Sequence, residues 1–306
     1  MKKFFVSMLA VAALASCAKE ETLTFDKGEA IGFSSFVDNA TRATDPSYGG
    51  ATGQKPLTSF KVWGTANGVS IFNDTVVTGS VGGSWSYSTK QYWIEGVKYN
   101  FAALVNADNV TLGSDKLPAK IEFESNGSTD LLYVRTDEIT GQATGYNSPV
   151  NLTFNHLLSK VHIGVKNNSS SAVGYSFLVK DIKINAPKNG TYYIQNIDEK
   201  TAGTWDVTNS DYSFANISVK DATAECNAEQ LLIPGSATVS FNVDIIYTND
   251  KNVESTIVTK NYSKNVTLVA GNAYNFNIIT SVGDPIEFTV TQQPTWGDGD
   301  EGGNLN

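Results

Sequence analysis

The chain of 306 residues has little of what enzymes commonly use for chemistry: two histidines, His156 and His162, and two cysteines, Cys17 and Cys226. With so few histidines a Ser-His-Asp arrangement has little material, and no Gly-x-Ser-x-Gly segment occurs. The histidines stand six residues apart. On one extended strand they would share a face. A bend between them breaks that, and no carboxylate or cysteine nearby in sequence completes a zinc set. Asp298-Gly299-Asp300-Glu301 lacks the spacing of an EF-hand loop and reads as a solvated tail. Carboxylate pairs occur in any acidic chain and carry no signal for glycoside hydrolysis without a cleft. The expectation is a protein with no catalytic residues, no metal and no cofactor, and so not an enzyme. Positive charge is also scarce: 22 Lys and Arg against 31 Asp and Glu give a net charge of −9. Nucleic acid, which needs a basic face, is excluded as a partner, as is charge-driven binding to an anionic membrane.

Long apolar runs are missing, with one short exception at the start. Met1-Lys2-Lys3 is basic, and Phe4 to Ala13 is an apolar run of about ten residues, too short to span a bilayer as a helix. Leu14-Ala15-Ser16-Cys17 follows. The pattern is that of a secretory signal, and its end resembles a bacterial lipobox, in which cleavage precedes the cysteine and the thiol carries lipid. Residues 1–16 are therefore expected to be a lipoprotein signal peptide, with the mature chain held in the outer membrane through lipid on Cys17. Several acyl chains at one anchor hold stably where a single chain does not. Lys19-Glu20-Glu21 resembles a signal that sends lipoproteins to the outer face of that membrane; the alternative is a solvated charged tether. With Cys17 lipidated, Cys226 has no intrachain disulfide partner.

Thr, Ser, Asn and Gly are abundant beside many Val, Ile, Tyr, Phe and Trp, the composition of an all-β surface protein. No helical period persists over three turns. Runs of β-formers alternate with turn residues instead. A first strand is predicted over 29–37, then a polar, Gly-rich stretch from Asp38 to Pro56. Phe60 to Gly64, Tyr99 to Val105, Ala119 to Phe123, Leu131 to Val134 and Val150 to Phe154 follow as strands. A hairpin is predicted from Ser176–Ala186 and Gly190–Ile197, since Asn189-Gly190 favours a primed turn. Gln230–Ile233, Ala237–Tyr247, Glu254–Tyr262, Ala273–Thr280 and Pro285–Gln292 complete the set. Length and strand spacing fit two β-sandwich domains in tandem. Residues 17–42 form a tether and first strand, 43–160 an N-terminal sandwich, and 161–306 a C-terminal sandwich with an acidic tail. Trp63, Trp85 and Trp93 lie in alternating strands and are expected to be buried. Trp205 and Trp296 stand beside turn residues and are the better candidates for exposed contacts.

In order along the chain come the lipobox, Ile31-Gly32-Phe33, Asn39-Ala40-Thr41-Arg42-Ala43-Thr44, Phe60-Lys61-Val62-Trp63-Gly64-Thr65, and Phe154 through Val161. Gln230-Leu231-Leu232-Ile233-Pro234, Ala270 through Phe276, and Pro285 through Val290 with Trp296 follow. This ordered set resembles the fimbrillins, pilin-like surface lipoproteins of Gram-negative gut and oral bacteria. The resemblance implies an all-β chain of transthyretin-like sandwiches that assembles with other pilin subunits by donor-strand exchange. It implies cleavage between Arg42 and Ala43, loss of the strand over 29–37, and refilling of its groove by a neighbour's strand. An unpaired strand position exposes backbone groups and an apolar slot that a partner strand satisfies. The expected donor is the C-terminal strand, where Ile286, Phe288 and Val290 alternate with polar residues. Arg42 is the only arginine in the loop from 38 to 56, and a solvated, never-cut residue is the alternative. Asp74-Thr75-Val76 resembles sites that some of these bacteria O-glycosylate on the hydroxyl, here Thr75. The rival to a polymerising pilin is a lipid-anchored sandwich that binds host or bacterial glycans and never polymerises.

Overall fold

The computed structural model describes residues 28–37, 47–48, 55–80, 82–169, 172–194, 203–220 and 223–293. Among them there is no helix, and the protein is all-β. β1 (Phe33–Val37) precedes two short strands, β2 (Ser47–Tyr48) and β3 (Lys55–Pro56), which pair with each other. β4 (Ser59–Ala66) and β5 (Val69–Thr78) form a hairpin. Its turn residues Asn67 and Gly68 both have positive φ, 46° and 77°, the primed-turn geometry that matches strand twist. β6 (Lys98–Val105), β7 (Asn109–Leu112), β8 (Pro118–Glu124), β9 (Leu132–Arg135), β10 (Ile139–Thr140) and β11 (Val150–His156) come next. Then follow β12 (Ser159–Asn167), β13 (Tyr175–Ile194), β14 (Gly203–Ser213), β15 (Ile217–Val219) and β16 (Thr223–Leu232). β17 (Gly235–Thr248), β18 (Glu254–Leu268), β19 (Ala273–Thr280) and β20 (Glu287–Gln293) end the described chain.

One sheet runs β1-β11-β9-β6-β4-β5, with β10 added on β6. A second runs β18-β17-β13-β8-β7, with β14 and β15 on β13, and a third runs β16-β12-β19-β20. Three apolar cores lie between them. The largest, between β13 and β17 on one side and β12 and β19 on the other, holds Phe177, Val179, Phe241, Val243, Tyr274 and Phe276. Another lies on the inner face of the first sheet and is capped by Trp85, Tyr87 and Trp93. The third joins the opposite face of that sheet to β8 and the far half of β13. β6 is thus buried on both faces: Phe101, Ala103 and Val105 point into one core, Ala102 and Leu104 into the other. A strand covered twice reads as a continuous apolar run, which is what Phe101 to Val105 is.

The hairpin predicted across Pro187 to Gly190 does not form. β13 runs straight through as one 20-residue strand, with a register shift between Pro187 and Asn189. The local turn preference of Asn-Gly is overridden by partners on both edges. β14 pairs residues 183–194, and β8 pairs Asn189 to Tyr193. Pro187 has no N–H to donate and lies at the bulge, where a strand tolerates proline. β7 and β8, upstream of residue 160, are hydrogen-bonded into the sheet of β13, downstream of it. The bend predicted between the histidines lies at Leu157-Leu158: His156 ends β11 and His162 lies within β12.

Candidate functional site

β1 is an edge strand of the first sheet, paired with β11 on one side and packed into the core through its inner face. Its backbone runs parallel to β11, in register from Phe33 opposite Val150 to Val37 opposite Phe154. Ahead of it, Ile31 N–H donates to the Gln91 carbonyl at 2.8 Å, and Trp93 N–H donates to the Glu29 carbonyl at 2.9 Å. The Tyr87 hydroxyl donates to the Ile31 carbonyl at 2.7 Å, and burial pushes that phenol above its ordinary pKa. Ile31, Phe33 and Ser35 point inward and are buried, the period-two pattern of an extended segment. The Phe33 ring is boxed by Phe60, Phe72, Tyr87 and Phe101, with centroids 5.6–6.1 Å away and mostly edge-to-face, an arrangement aromatic quadrupoles favour. The Ser35 hydroxyl is buried and has no hydrogen-bond partner among the described residues.

Glu29 anchors the front of this segment. One of its carboxylate oxygens accepts from Gly145 N–H, Asn147 N–H and the Asn147 side-chain amide, each at 3.1 Å. Asn147 also builds the loop that offers these donors: its amide reaches the carbonyls of Gln142 and Ala143, and its Oδ1 accepts from Gln142 N–H. The Asn147 amide, more than any other group, holds the Glu29 carboxyl below its ordinary value. A carboxyl depressed in the folded state stabilises fully above its unfolded value and loses that contribution as pH falls through the folded one. The hydrogen-exchange protection of the Gly145 and Asn147 amides is therefore expected to fall as pH drops below the ordinary value of 4.5. E29Q removes that titration; unchanged pH dependence in E29Q would count against the anchor.

Of the residues singled out from sequence, Cys17, Arg42, Ala43 and Trp296 lie outside the described residues. Cys226 lies in β16, and its backbone pairs with Ile163 of β12. Ile286 is buried, and Phe288 and Val290 pack half-buried against the largest core. They belong to β20, an edge strand paired antiparallel to β19. Phe288 leans on Phe241 and Phe276 at 5.4 and 5.9 Å. Thr75 is half-buried on β5, the far edge of the first sheet, next to Asp74, whose φ is 52° and whose carboxylate faces Lys61 at 3.3 Å. Trp63, Trp85 and Trp93 are buried as expected. Trp205 is not the exposed platform anticipated: it packs against the third core, its ring 5.2 Å from Tyr192 and its Nε1 buried. His156 is buried with Nδ1 2.7 Å from Asp130 Oδ2. Among the described residues no three His, Cys, Asp or Glu side chains are grouped to hold a metal, and no helix is long and apolar enough to cross a membrane.

Sequence reasoning missed Glu29 with Asn147, because 118 residues separate the partners and no spacing announces them. It also missed a cleft of about 670 Å³ where β11 leaves β9. Pairing between these strands covers only Asn155–Tyr133 and His156–Leu132. Beyond that point Arg135, Asp137 and Gln142 face Asn151 and Thr153 across the gap, with Trp93 on its wall. Arg42 and Arg135 are the only arginines in the sequence. Arg135 lies in β9, buried, with Nη2 2.7 Å from Asp115 Oδ2. An arginine-specific protease acting on the folded chain is therefore expected to cut after Arg42 alone, since a paired strand does not enter a protease site. Mass spectrometry of the digest checks this; a cut after Arg135 under native conditions contradicts it.

Solved structures with this architecture include a fimbrial protein from Bacteroides vulgatus, with a TM-score of 0.57 and 16% identity over 86% of this chain and 98% of that one. A candidate cell adhesion protein from Bacteroides ovatus has a TM-score of 0.52 and 18% identity over 87% and 96%. Another from Bacteroides uniformis has a TM-score of 0.51 and 13% identity over 87% and 97%. At such identities the likeness is one of fold. No curated protein matches the chain. The model of the fimbrillin-like family matches residues 21–294, nearly the whole sequence, and the chain belongs to that family.

Proposed function

We propose that the protein is a non-catalytic fimbrial subunit of the outer membrane surface, exported as a precursor anchored by lipid on Cys17 and assembled by strand exchange once that N-terminal segment is cut away. In this scheme cleavage after Arg42 cuts β1 from the rest of the chain. β1 then leaves its groove, and the segment around β20 of a second copy replaces it. The observation that carries the proposal is the seat of β1. Its contacts are those of an inserted ligand: a strand edge, a buried aromatic anchor and a captured carboxylate. Emptying the groove strands the backbone groups of β11 and of residues 91–93 and opens an apolar slot, and a strand from another chain satisfies both. β20 suits the donor role because an edge strand leaves one neighbour, β19, rather than two. The substitution R42A is expected to leave the chain folded and monomeric, with no detergent-stable multimers on cells. Multimers of R42A as abundant as those of the natural chain would overturn the proposal.

A second reading has its own observation, the cleft between β9 and β11. Its amide, hydroxyl and charged side chains beside one indole suit a polar ligand such as a surface glycan, and its volume falls in the range of small-ligand pockets. Saturation-transfer NMR with a panel of host and bacterial glycans tests it: signal lost in T153W, which fills the cleft, supports binding there, and no signal with any glycan removes it. Thr75, on an exposed sheet edge, is proposed to carry an O-linked glycan. Intact mass of T75A against the natural protein decides that point.

A further inference from the structure

The segment that fills the groove and the segment proposed to refill it share a spacing. Glu29, Ile31, Phe33 and Ser35 stand at alternate positions, as do Asp284, Ile286, Phe288 and Val290. We propose that the β1 groove reads four alternate strand positions: an acid at the Gly145–Asn147 loop, isoleucine, phenylalanine, and a small apolar side chain. The segment Asp284 to Val290 of a second copy satisfies all four, where the resident strand satisfies three. The proposal rests on the strand-exchange reading and adds to it the register and the reason exchange runs forward.

Each position has its own support. Three N–H donors converge on one carboxylate oxygen of Glu29. A carboxylate is their natural acceptor, since charge-assisted bonds outweigh neutral ones. Ile31 and Phe33 fill the groove, being 1% and 6% exposed, and the second segment repeats both residues. Ser35 is the mismatch, because its buried hydroxyl finds no partner among the described residues, and a buried polar group left unpaired is costly. Valine at that position removes the unpaired group and adds apolar contact. The intervening positions also accept the second segment. Glu287 would fall on Gly32, where a Cβ meets only Pro149, at 3.7 Å, an ordinary contact. Pro285 would fall on Ala30, and the bonds to residues 91–93 use Ile31 N–H and the Glu29 carbonyl. The missing proline N–H therefore costs nothing there. In its own chain, Asp284 accepts a serine hydroxyl, from Ser281 at 2.8 Å.

The test uses the full chain nicked after Arg42, with fluorescent peptides of residues 28–37 and 283–292 exchanged into the groove and their affinities measured by anisotropy. The 283–292 peptide is expected to bind more tightly than 28–37. D284N and E29Q each weaken their own peptide roughly fivefold, the effect of losing a charge-assisted acceptor at a solvated site. V290S weakens the 283–292 peptide, and S35V strengthens the 28–37 peptide. If 283–292 binds but D284N and V290S bind equally well, the four-position code is wrong and strand exchange stands. If 28–37 exchanges and 283–292 does not, the second copy's segment is not the occupant, and the proposal fails together with its donor strand. The uncut chain gives an independent readout by urea denaturation. S35A is expected to hold or raise the midpoint, because it deletes the unpaired hydroxyl without adding bulk, and S35V to raise it further. Clear destabilisation by S35A would show that the hydroxyl is satisfied and would overturn the proposal.

Discussion

Phe33→Ala is expected to lower the unfolding free energy of the uncut chain by about 3–5 kcal/mol, the usual cost of emptying a well-packed phenylalanine site. The ring is 6% exposed and touches four other aromatic rings, so collapse around the void would require moving all of them. Phe288→Ala should cost less, about 1–2 kcal/mol, because its site on an edge strand is only half-buried. Urea denaturation of both variants checks the pair. Equal losses would mean that β1 is no better seated than β20, and the asymmetry on which a guest-strand description depends would disappear. On the strand-exchange proposal, the depth of this seat is what makes a covalent cut necessary. While residue 37 is tied to the fold, β1 rebinds at the high effective concentration set by its tether. The proposed cleavage would remove that advantage, and an incoming strand bringing its own phenylalanine would then compete with an untethered β1.

Asp130→Ala is expected to cost about 1–3 kcal/mol, the scale for removing a hydrogen bond and leaving its partner buried. The Asp130 carboxylate is fully buried against His156 Nδ1 at 2.7 Å, and the histidine side chain is 4% exposed. The pair lies where β11 begins its short ladder with β9. Its loss therefore loosens the strand on which β1 is laid, as well as the global fold. Hydrogen exchange at the β11 amides separates the two effects. Asp130→Asn keeps an acceptor and should recover part of the loss. If the alanine variant matches the natural chain in stability, the pair does not hold the groove wall.

Much of the architecture was legible from alternation. β19 has the predicted bounds, and β17, β18 and β20 begin or end within a few residues of them, except that β18 runs on to Leu268. These strands are half-buried or edge strands whose period-two pattern survives in the sequence. β13 was misread because turn chemistry at Asn189-Gly190 is a local signal, and pairing on both sides overrides it. Trp205 was misplaced for a related reason: neighbouring turn residues say nothing of the core that folds over them. For the groove, Ile31 and Phe33 were readable as a strand. The carboxylate anchor was not, because a loop more than a hundred residues away supplies its donors. The unpaired Ser35 hydroxyl was equally invisible: period two places Ser35 on the face of Ile31 and Phe33, but whether a partner reaches its hydroxyl depends on packing neighbours distant in sequence.

The central claim is that β1 is removed and replaced. N-terminal sequencing and intact mass of the protein sheared from cell surfaces test it most directly. A chain beginning at Ala43, recovered in ladder-forming, heat-sensitive multimers, is the predicted result. A chain beginning at lipidated Cys17, monomeric and left with the outer membrane, would contradict it.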